Sequence, residues 1–293
     1  MIDKATLEAL VRSVVSETLN PKQDRSPSSS AEPGCDDHCS PPRREERRQD
    51  AAEVRRVIEA SPARLAQGRV GTRYTTAAYI QLSAEHAVAL DAVDSRVADH
   101  FAAKNGLIAL STKAKDHEEY LLHPDLGRRL DEASRERLLK EGTRGADVVV
   151  IVGDGLSAVA VERQCPVLLP ALNAALQALR FSLGKPCFVR HARIGVQDEI
   201  GVLLQARSTI VLVGERPGLG TGDSLSIYTA FHPRLNQDNS EKNCISNVRD
   251  SGFPPKEAAG ECAKLMRRTF DAGGGGVHLV RPIPDLTRRA ALS

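Results

Sequence analysis

The chain has 293 residues and a nearly balanced formal charge of +2, and aromatic residues make up 3% of it, with no tryptophan. This length allows one large domain or two modest ones, and the charge gives no electrostatic reason to expect binding to nucleic acid or to an anionic membrane. The six cysteines occur without a secretory signal or an apolar run of membrane-spanning length. They therefore indicate cytoplasmic thiols rather than a disulfide framework.

The first predicted element is a short amphipathic helix at residues 2–19. A helix this short is marginal alone in water, so it needs a partner surface. That surface is either the remainder of the same chain or, as we favour, a groove in another protein. The apolar residues follow the i, i+3, i+4 spacing of one helical face and are Leu7, Leu10, Val11, Val14, Val15 and Leu19.

Residues 20–50 are predicted to form a disordered linker. Pro, Ser, Asp, Arg and Gln dominate the segment, and it has no large apolar side chain with which to bury surface. Cys35, His38 and Cys39 lie within it and could act as metal ligands. Their tight spacing, without a second half to complete a tetrahedral site, argues against a structural zinc. Two interpretations therefore remain open for these three residues: a polar linker in which they have no function, or adventitious metal or redox chemistry.

Residues 51–145 are predicted to be a helical region at the start of the globular part. His86 falls among apolar positions on one helical face, where a packing role is more common than a catalytic one. The acidic and histidine residues at 116–119 look like a ligand cluster, but their surroundings are more typical of a solvated turn. The apolar positions that share the face with His86 are Tyr79, Leu82, Leu90 and Val93.

Residues 146–293 are predicted to form an α/β domain. Apolar strand runs at 147–152, 187–190 and 208–213, with a fourth candidate at 225–231, alternate with helices at 170–180 and 197–205. A helix at about 255–268 closes the domain, before a run of glycines at 273–276. This alternation predicts a parallel sheet flanked by helices. The loops at 153–155 and 214–222 then lie at the same sheet edge, where open α/β sheets bind ligands.

The Gly-rich loop at residues 214–222 is the most informative segment of the domain. Its glycines allow the backbone to approach a polar ligand. A P-loop would require a lysine after its final glycine, and this loop has none. A dinucleotide fingerprint would place its last glycine one position beyond Gly222. The loop is therefore either a ligand site of another kind or a tight turn.

Several segments together resemble the small subunit of ethanolamine ammonia-lyase, in the same order along the chain. The resemblance covers roughly residues 55–280. The segments are GTRYT at 71–75, PDLGRR at 124–129, DGLS at 154–157, VQDEIG at 196–201, VGERPGLG at 213–220, DSLS at 223–226 and NCISN at 243–247.

This resemblance implies an adenosylcobalamin enzyme whose cofactor lies between a large catalytic subunit and the small one. The implied reaction converts ethanolamine to acetaldehyde and ammonia, and it starts from a 5′-deoxyadenosyl radical released by cobalt–carbon homolysis. The sequence has no D-x-H-x-x-G motif to supply a histidine to cobalt, so we expect the cofactor to keep its own nucleotide base on the metal. The family places the substrate residues in the large subunit. We therefore expect no catalytic residue in this chain and no activity from it alone.

By the same resemblance, Ile194, Glu215 and Cys244 fall at the family's cobalamin-contact positions. Ile194 takes the place of a valine common in relatives, and a contact through backbone or aliphatic surface would survive that change. The alternatives are that Cys244 is a small buried hydrophobic residue and that Glu215 pairs with Arg216. We predict no metal ligand among the protein side chains.

The N-terminal helix resembles the targeting helices that carry cargo enzymes into bacterial microcompartments. The expected location is therefore the cytoplasm, inside a bacterial microcompartment, with its shell or core proteins as partners of residues 2–19. The residues alone also allow a non-catalytic nucleotide-binding scaffold module. A third hypothesis for its function is a free-standing nicotinamide oxidoreductase.

Overall fold

The computed structural model describes residues 55, 56, 58, 60 and 69–280. The predicted helix at 2–19 and the predicted linker at 20–50, with Cys35, His38 and Cys39, lie outside the described residues. The chain divides into two compact units, Met1–Ser83 and Ala84–Ser293. None of the helices in the described part of the chain combines the length and hydropathy of a membrane span.

The first unit contains an antiparallel pair of two-residue strands, β1 (Arg69–Val70) and β2 (Arg73–Tyr74). Gly71 between them has φ 61°, a left-handed conformation that suits glycine. Helix α1 (Thr76–Asp94) begins in this unit and ends in the second one.

The second unit contains the helices and strands that follow α1 in the described part of the chain. Two 3-10 turns, Leu126–Arg128 and Asn239–Glu241, lie between them. In chain order the elements are α2 (Phe101–Lys104), β3 (Ile108–Ser111), α3 (His117–Leu122), α4 (Glu132–Glu141), β4 (Val148–Gly153), α5 (Ala158–Ala178), β5 (Cys187–Arg190), α6 (Val196–Leu204), β6 (Ser208–Gly214), β7 (Leu225–Phe231), β8 (Asn243–Val248), α7 (Pro255–Ala272) and α8 (Val277–Val280).

A six-stranded sheet in the order β3-β5-β4-β6-β7-β8 organises this unit. The strands β3, β5, β4 and β6 run parallel, whereas β7 and β8 pair antiparallel. The predicted α/β sheet flanked by helices is confirmed, and its parallel part is extended by two antiparallel strands. The segment 215–224 between β6 and β7 contains no helix. Because a parallel return needs a crossover connection, usually a helix, β7 must run antiparallel to β6.

Both faces of β4 are buried, as the apolar run at this strand predicts. Val148, Val150 and Val152 belong to one core cluster, together with apolar residues of α5 and α7. Val149 and Ile151 belong to the other, together with apolar residues of α4 and α6. The alternation of side chains along each strand therefore divides the core into two layers.

Two predictions about secondary structure need correction. Ile108–Ser111 forms the edge strand β3, although residues 51–145 were expected to be helical, because a four-residue strand is too short to show a period. The helix expected from residue 170 begins at Ala158 and contains Pro166 and Pro170. The hydroxyl of Ser157 accepts a hydrogen bond from the Ala160 N–H and caps this earlier start.

The predicted helical face around His86 exists, but it is not buried. Ala92 is the buried residue of α1, and His86, Tyr79 and Leu90 are exposed. The packing role expected for His86 is therefore wrong. The cluster at 116–119 is exposed or half-buried, as expected, but it begins a helix rather than forming a turn. Asp116 caps α3 by accepting a hydrogen bond from the Glu119 N–H.

Candidate ligand-binding site

A cavity of about 610 Å³ lies where the parallel strands β4, β5 and β6 end. We call this end of the strands the carboxyl edge. The loops after β4 and β6 meet there, as predicted, and the Leu156 N–H donates a 3.1 Å hydrogen bond to the Gly214 oxygen. The wall includes Tyr120, Arg128, Arg129, Gly155, Leu156, Ala192, Arg193, Ile194, Gly195, Asp198, Val213, Gly214, Glu215, Arg216, Ser226, Tyr228, Asn236, Gln237, Asp238, Lys242 and Ser246.

Two glycines allow these loops to touch. A Cβ atom at Gly214 would lie 2.1 Å from the Ser157 oxygen, and one at Gly155 would lie 2.3 Å from the Gly214 oxygen. Gly155 also has φ 62°. The Ser157 hydroxyl donates to the Gly222 oxygen at 2.6 Å, so it is committed to the scaffold rather than to nucleophilic chemistry. These two glycines therefore join two loops of the chain, whatever ligand binds beside them.

The Asp154 carboxylate joins the loop after β4 to the loop after β5. It accepts hydrogen bonds from the backbone N–H groups of His191 and Ala192 at 2.8 and 2.9 Å. Burial raises the pKa of the Asp154 carboxyl, and these hydrogen bonds offset part of that effect. His191 has φ 56°, so the carboxylate holds the backbone in a conformation that a residue with a side chain rarely adopts.

Tyr120 and Arg193 form a stacked corner of the cavity. The Tyr120 hydroxyl donates to the Ala192 oxygen at 3.1 Å, and the Arg193 guanidinium lies 4.2 Å from the centre of the Tyr120 ring. Arg193 also donates to the Tyr120 backbone oxygen at 2.9 Å. Burial raises the pKa of Tyr120. The phenol therefore stays protonated and acts as a packing group that holds the arginine in place.

Glu215 lines the cavity and is tied to both antiparallel strands. Its carboxylate accepts from the hydroxyls of Ser224 and Ser226 and from the Asn247 N–H. Burial alone would raise the pKa of Glu215, but these three donors and the charge of Arg249 hold it below the usual range. The pairing with Arg216 considered from the sequence is therefore not what holds this carboxylate.

Ile194 also lines the cavity, on the loop that leads from β5 into α6. Cys244 is exposed on β8, so it is not the small buried residue considered as an alternative. It is absent from the cavity wall as described, but its thiol shares hydrogen bonds with Tyr228 and Ser226, which do line it. Desolvation raises the pKa of the Cys244 thiol and raises that of Tyr228 to about 12. The assignment of Ile194, Glu215 and Cys244 as cofactor contacts stays a prediction.

The sequence interpretation missed a buried ion pair in the wall. The Lys242 ammonium lies 3.0 Å from the Asp198 carboxylate, and the two side chains are 3% and 2% exposed. Burial raises the pKa of Asp198, and the hydrogen bond and charge of Lys242 oppose that effect. The available signal was the buried polar run of Gln197, Asp198 and Glu199 in a helix that is otherwise apolar. Nothing in the sequence pointed to Lys242 as the partner, because it lies 44 residues away along the chain.

Three residues of the wall carry buried polar atoms without a hydrogen-bond partner. They are the Oδ1 atom of Asp198, the Oε1 atom of Gln237 and the Nε atom of Arg193. Such atoms are uncommon in folded proteins, because each one loses its hydrogen bonds to water without replacement. These wall residues therefore hold two acceptors and one donor whose hydrogen bonds are unsatisfied in this chain alone. Within the described ranges, no group of three or more His, Cys, Asp or Glu residues could hold a metal ion.

The family model and the similar proteins found by comparison all point to the same family. The family model described as the ethanolamine ammonia-lyase light chain matches residues 51–280. A protein of Fusobacterium nucleatum named ethanolamine ammonia-lyase small subunit is 38% identical over 219 residues, which cover 75% of this chain and 74% of that protein. A protein of the same name from Lachnoclostridium phytofermentans is 37% identical over 219 residues, 75% and 74% of the two chains. A third, from Clostridium acetobutylicum, is 35% identical over 227 residues, 78% and 94% of the two chains.

We predict that Gly214→Ala destabilises the fold by about 1–3 kcal/mol or more, because the new methyl group would meet backbone atoms that cannot move aside. The control is Gly260→Ala in α7, where an added Cβ has nothing within 4 Å. That change is expected to be neutral or to stabilise by up to about 1 kcal/mol. Equilibrium urea unfolding measures both. Equal effects of the two changes would contradict the close contact of the loops.

We also predict that Glu215 makes stability depend on acid pH. A carboxyl whose pKa is lowered in the folded chain stabilises it above the usual glutamate range, and this is lost as the pH falls through the lowered value. Wild type should therefore exceed Glu215→Gln in thermal midpoint at about pH 7, and the gap should narrow towards about pH 3. Glu136→Gln, at an exposed position, is the control. A gap that stays constant over this range would show that the ionised carboxylate is not the stabilising form.

Proposed function

Because the chain belongs to the ethanolamine ammonia-lyase light chain family, we propose that it is the small subunit of an adenosylcobalamin-dependent ethanolamine ammonia-lyase. In this proposal the enzyme converts ethanolamine to acetaldehyde and ammonia by a radical reaction. This chain helps to bind the cofactor at its interface with the large catalytic subunit. The observation that carries the proposal is the cavity at the carboxyl edge, whose wall has unpaired buried polar atoms.

The chemistry of the wall fits the periphery of a corrin. A corrin is a broad apolar ring with amide side chains around its rim, and each amide both donates and accepts hydrogen bonds. The cavity wall combines apolar groups such as Ile194 and Leu156 with the unpaired atoms of Asp198, Gln237 and Arg193. Its volume of about 610 Å³ lies within the range of pockets for drug-sized ligands. A cobalamin is larger, so this chain would hold one side of it and leave the other to a partner.

The residues of this chain would bind and orient the cofactor. Glu215 is ionised and fixed by three donors, so it can accept a further hydrogen bond without moving. When bound, adenosylcobalamin supplies the radical that removes hydrogen from the substrate. Tyr228 and Cys244 have raised pKa values and stay protonated at neutral pH. They are thus poor candidates for a base or a nucleophile, which supports a binding role for this subunit.

Exposed apolar residues close to the cavity support a large-subunit partner. Leu219 in the Gly-rich loop is 40% exposed, and Leu235, beside the wall residue Asn236, is 54% exposed. Apolar groups around the rim of a pocket are typical of a surface that another protein covers. We propose that the large subunit covers this rim and completes the site.

We propose that the enzyme is located in a bacterial microcompartment, because of the sequence pattern of residues 2–19. The apolar residues of that segment have the spacing expected of a docking helix. Shell or core proteins of the compartment would be its partners. Deletion of residues 2–19 should then release the enzyme from the compartment without loss of its activity.

The first test of the function is co-expression of the full chain with a large subunit of the same family. We expect ethanolamine deamination that depends on adenosylcobalamin in the purified complex, and none from either chain alone. Turnover by this chain alone, or turnover of the complex without cofactor, would overturn the proposal. A complex that forms but never deaminates ethanolamine would do so as well.

We predict that Glu215→Ala in that complex weakens cobalamin binding by about tenfold or more, the cost of losing a hydrogen bond to a charged group. Visible absorption during cofactor titration measures the dissociation constant. Glu136→Ala, at an exposed position away from the cavity wall, is the matched control and should bind like wild type. Unchanged binding by the folded Glu215→Ala complex would remove Glu215 from the contacts.

A further inference from the structure

Two of the unpaired buried atoms in the cavity wall are acceptors. The Asp198 side chain is 2% exposed, and its Oδ2 atom accepts from Lys242 while Oδ1 accepts no hydrogen bond. The Gln237 backbone N–H also lowers the pKa of this carboxyl, but it donates its own hydrogen bond to the Arg234 oxygen at 3.0 Å. Gln237 is 6% exposed, and its Nε2 group donates to the Phe231 oxygen and to Glu241 at 3.2 Å while Oε1 has no partner. Each side chain is thus fixed through one polar atom and leaves the other unused.

A single ammonium group joins these two residues. The Lys242 Nζ atom lies 3.0 Å from the Asp198 carboxylate and 3.1 Å from the Gln237 backbone oxygen. All three residues line the cavity. We call Asp198 and Gln237 the amide wall. One buried cation therefore holds the Asp198 carboxylate and the Gln237 backbone together before any ligand binds.

The two unpaired acceptors of the amide wall select the class of group that can contact them. Arg128, Arg129, Arg193 and Arg216 line the same cavity, but the Asp198 Oδ1 and Gln237 Oε1 atoms accept hydrogen bonds and cannot donate them, so at these two atoms an N–H donor is favoured over a carboxylate or a phosphate. An organic ammonium is disfavoured, because Lys242 already places a positive charge beside the same carboxylate. A neutral group with N–H donors remains. A primary carboxamide is such a group, and it carries two donors on one nitrogen atom.

We propose that Asp198 and Gln237 recognise a primary carboxamide of the bound ligand and discriminate against a carboxylate at the same position. This inference rests on the proposed function, since the corrin periphery carries such carboxamides. It adds two residues, far apart in the sequence, to the expected contacts Ile194, Glu215 and Cys244. Neither residue acts on the substrate. Their role is to recognise the ligand through hydrogen bonds and to hold it in one orientation.

The test compares cobalamin with its monocarboxylate derivatives, in which a single peripheral carboxamide is hydrolysed to a carboxylate. Binding to the full complex with the large subunit is measured by equilibrium dialysis, so that activity is not needed. We expect at least one derivative to bind wild type about 10- to 100-fold more weakly than cobalamin, because the unpaired acceptors repel it. Asp198→Asn supplies an N–H donor in place of a carboxylate and should reduce that ratio about tenfold. Asp250→Asn, at an exposed position, should leave the ratio unchanged.

A second variant keeps the inference testable if Asp198→Asn does not fold. Asp198→Asn leaves the buried Lys242 without its anion, which commonly destabilises a protein. Gln237→Met removes one acceptor and keeps the ion pair. We expect it to weaken the binding of cobalamin more than that of the discriminated derivative, so that the ratio again falls. Circular dichroism and the thermal midpoint of each complex establish that the variant is folded.

The outcomes separate this inference from the function on which it rests. A wild-type complex that binds no cobalamin would overturn the proposed function, and this inference with it. A wild-type complex that binds cobalamin and all of its monocarboxylates equally well would overturn only the inference. Only the inference would also be overturned if both folded variants keep the wild-type ratio of affinities for cobalamin and the monocarboxylate.

Discussion

The contact between two loops at Gly155 and Gly214 is the constraint on which the carboxyl edge of the sheet depends. An added Cβ at either position would overlap backbone of the other loop or of Ser157. Asp154 then fastens the loop after β5 to the same corner through the N–H groups of His191 and Ala192. The loops after three parallel strands thus become one rigid rim. Arg193, Ile194 and Glu215 take their positions from that rim rather than from local sequence preference.

The sequence predicts the parts of this fold whose signals are local. Strong apolar runs predict β4, β5 and β6 to within a residue, because a strand buried on both faces carries mostly apolar side chains. The edge strand β8 has mostly exposed or half-buried side chains, so its pattern does not stand out. The early start of α5 was missed because Pro170 looks like a first-turn residue, whereas tertiary burial on α5 outweighs two prolines.

The features of the candidate site also divide into those that the sequence predicts and those that depend on long-range contacts. Ile194, Glu215 and Cys244 come from the family resemblance, which the comparisons confirm. The hydrogen bonds that fix Glu215 to Ser224, Ser226 and Asn247 could not be predicted, because they depend on the register of β7 and β8. The pair of Asp198 and Lys242 links a helix to a distant loop, and no short motif encodes such a contact. Long-range pairs of this kind become visible only when the fold brings them together.

We propose that one side of a cobalamin lies in this cavity and the other side against the large subunit. The most direct measurement is an electron cryomicroscopy map of the co-expressed complex with cobalamin bound. We expect corrin amides to lie within hydrogen-bond distance of Glu215, Asp198 and Gln237, and we expect the large subunit to cover Leu219 and Leu235. A corrin that contacts the large subunit alone, with this cavity open to solvent, would overturn the proposal.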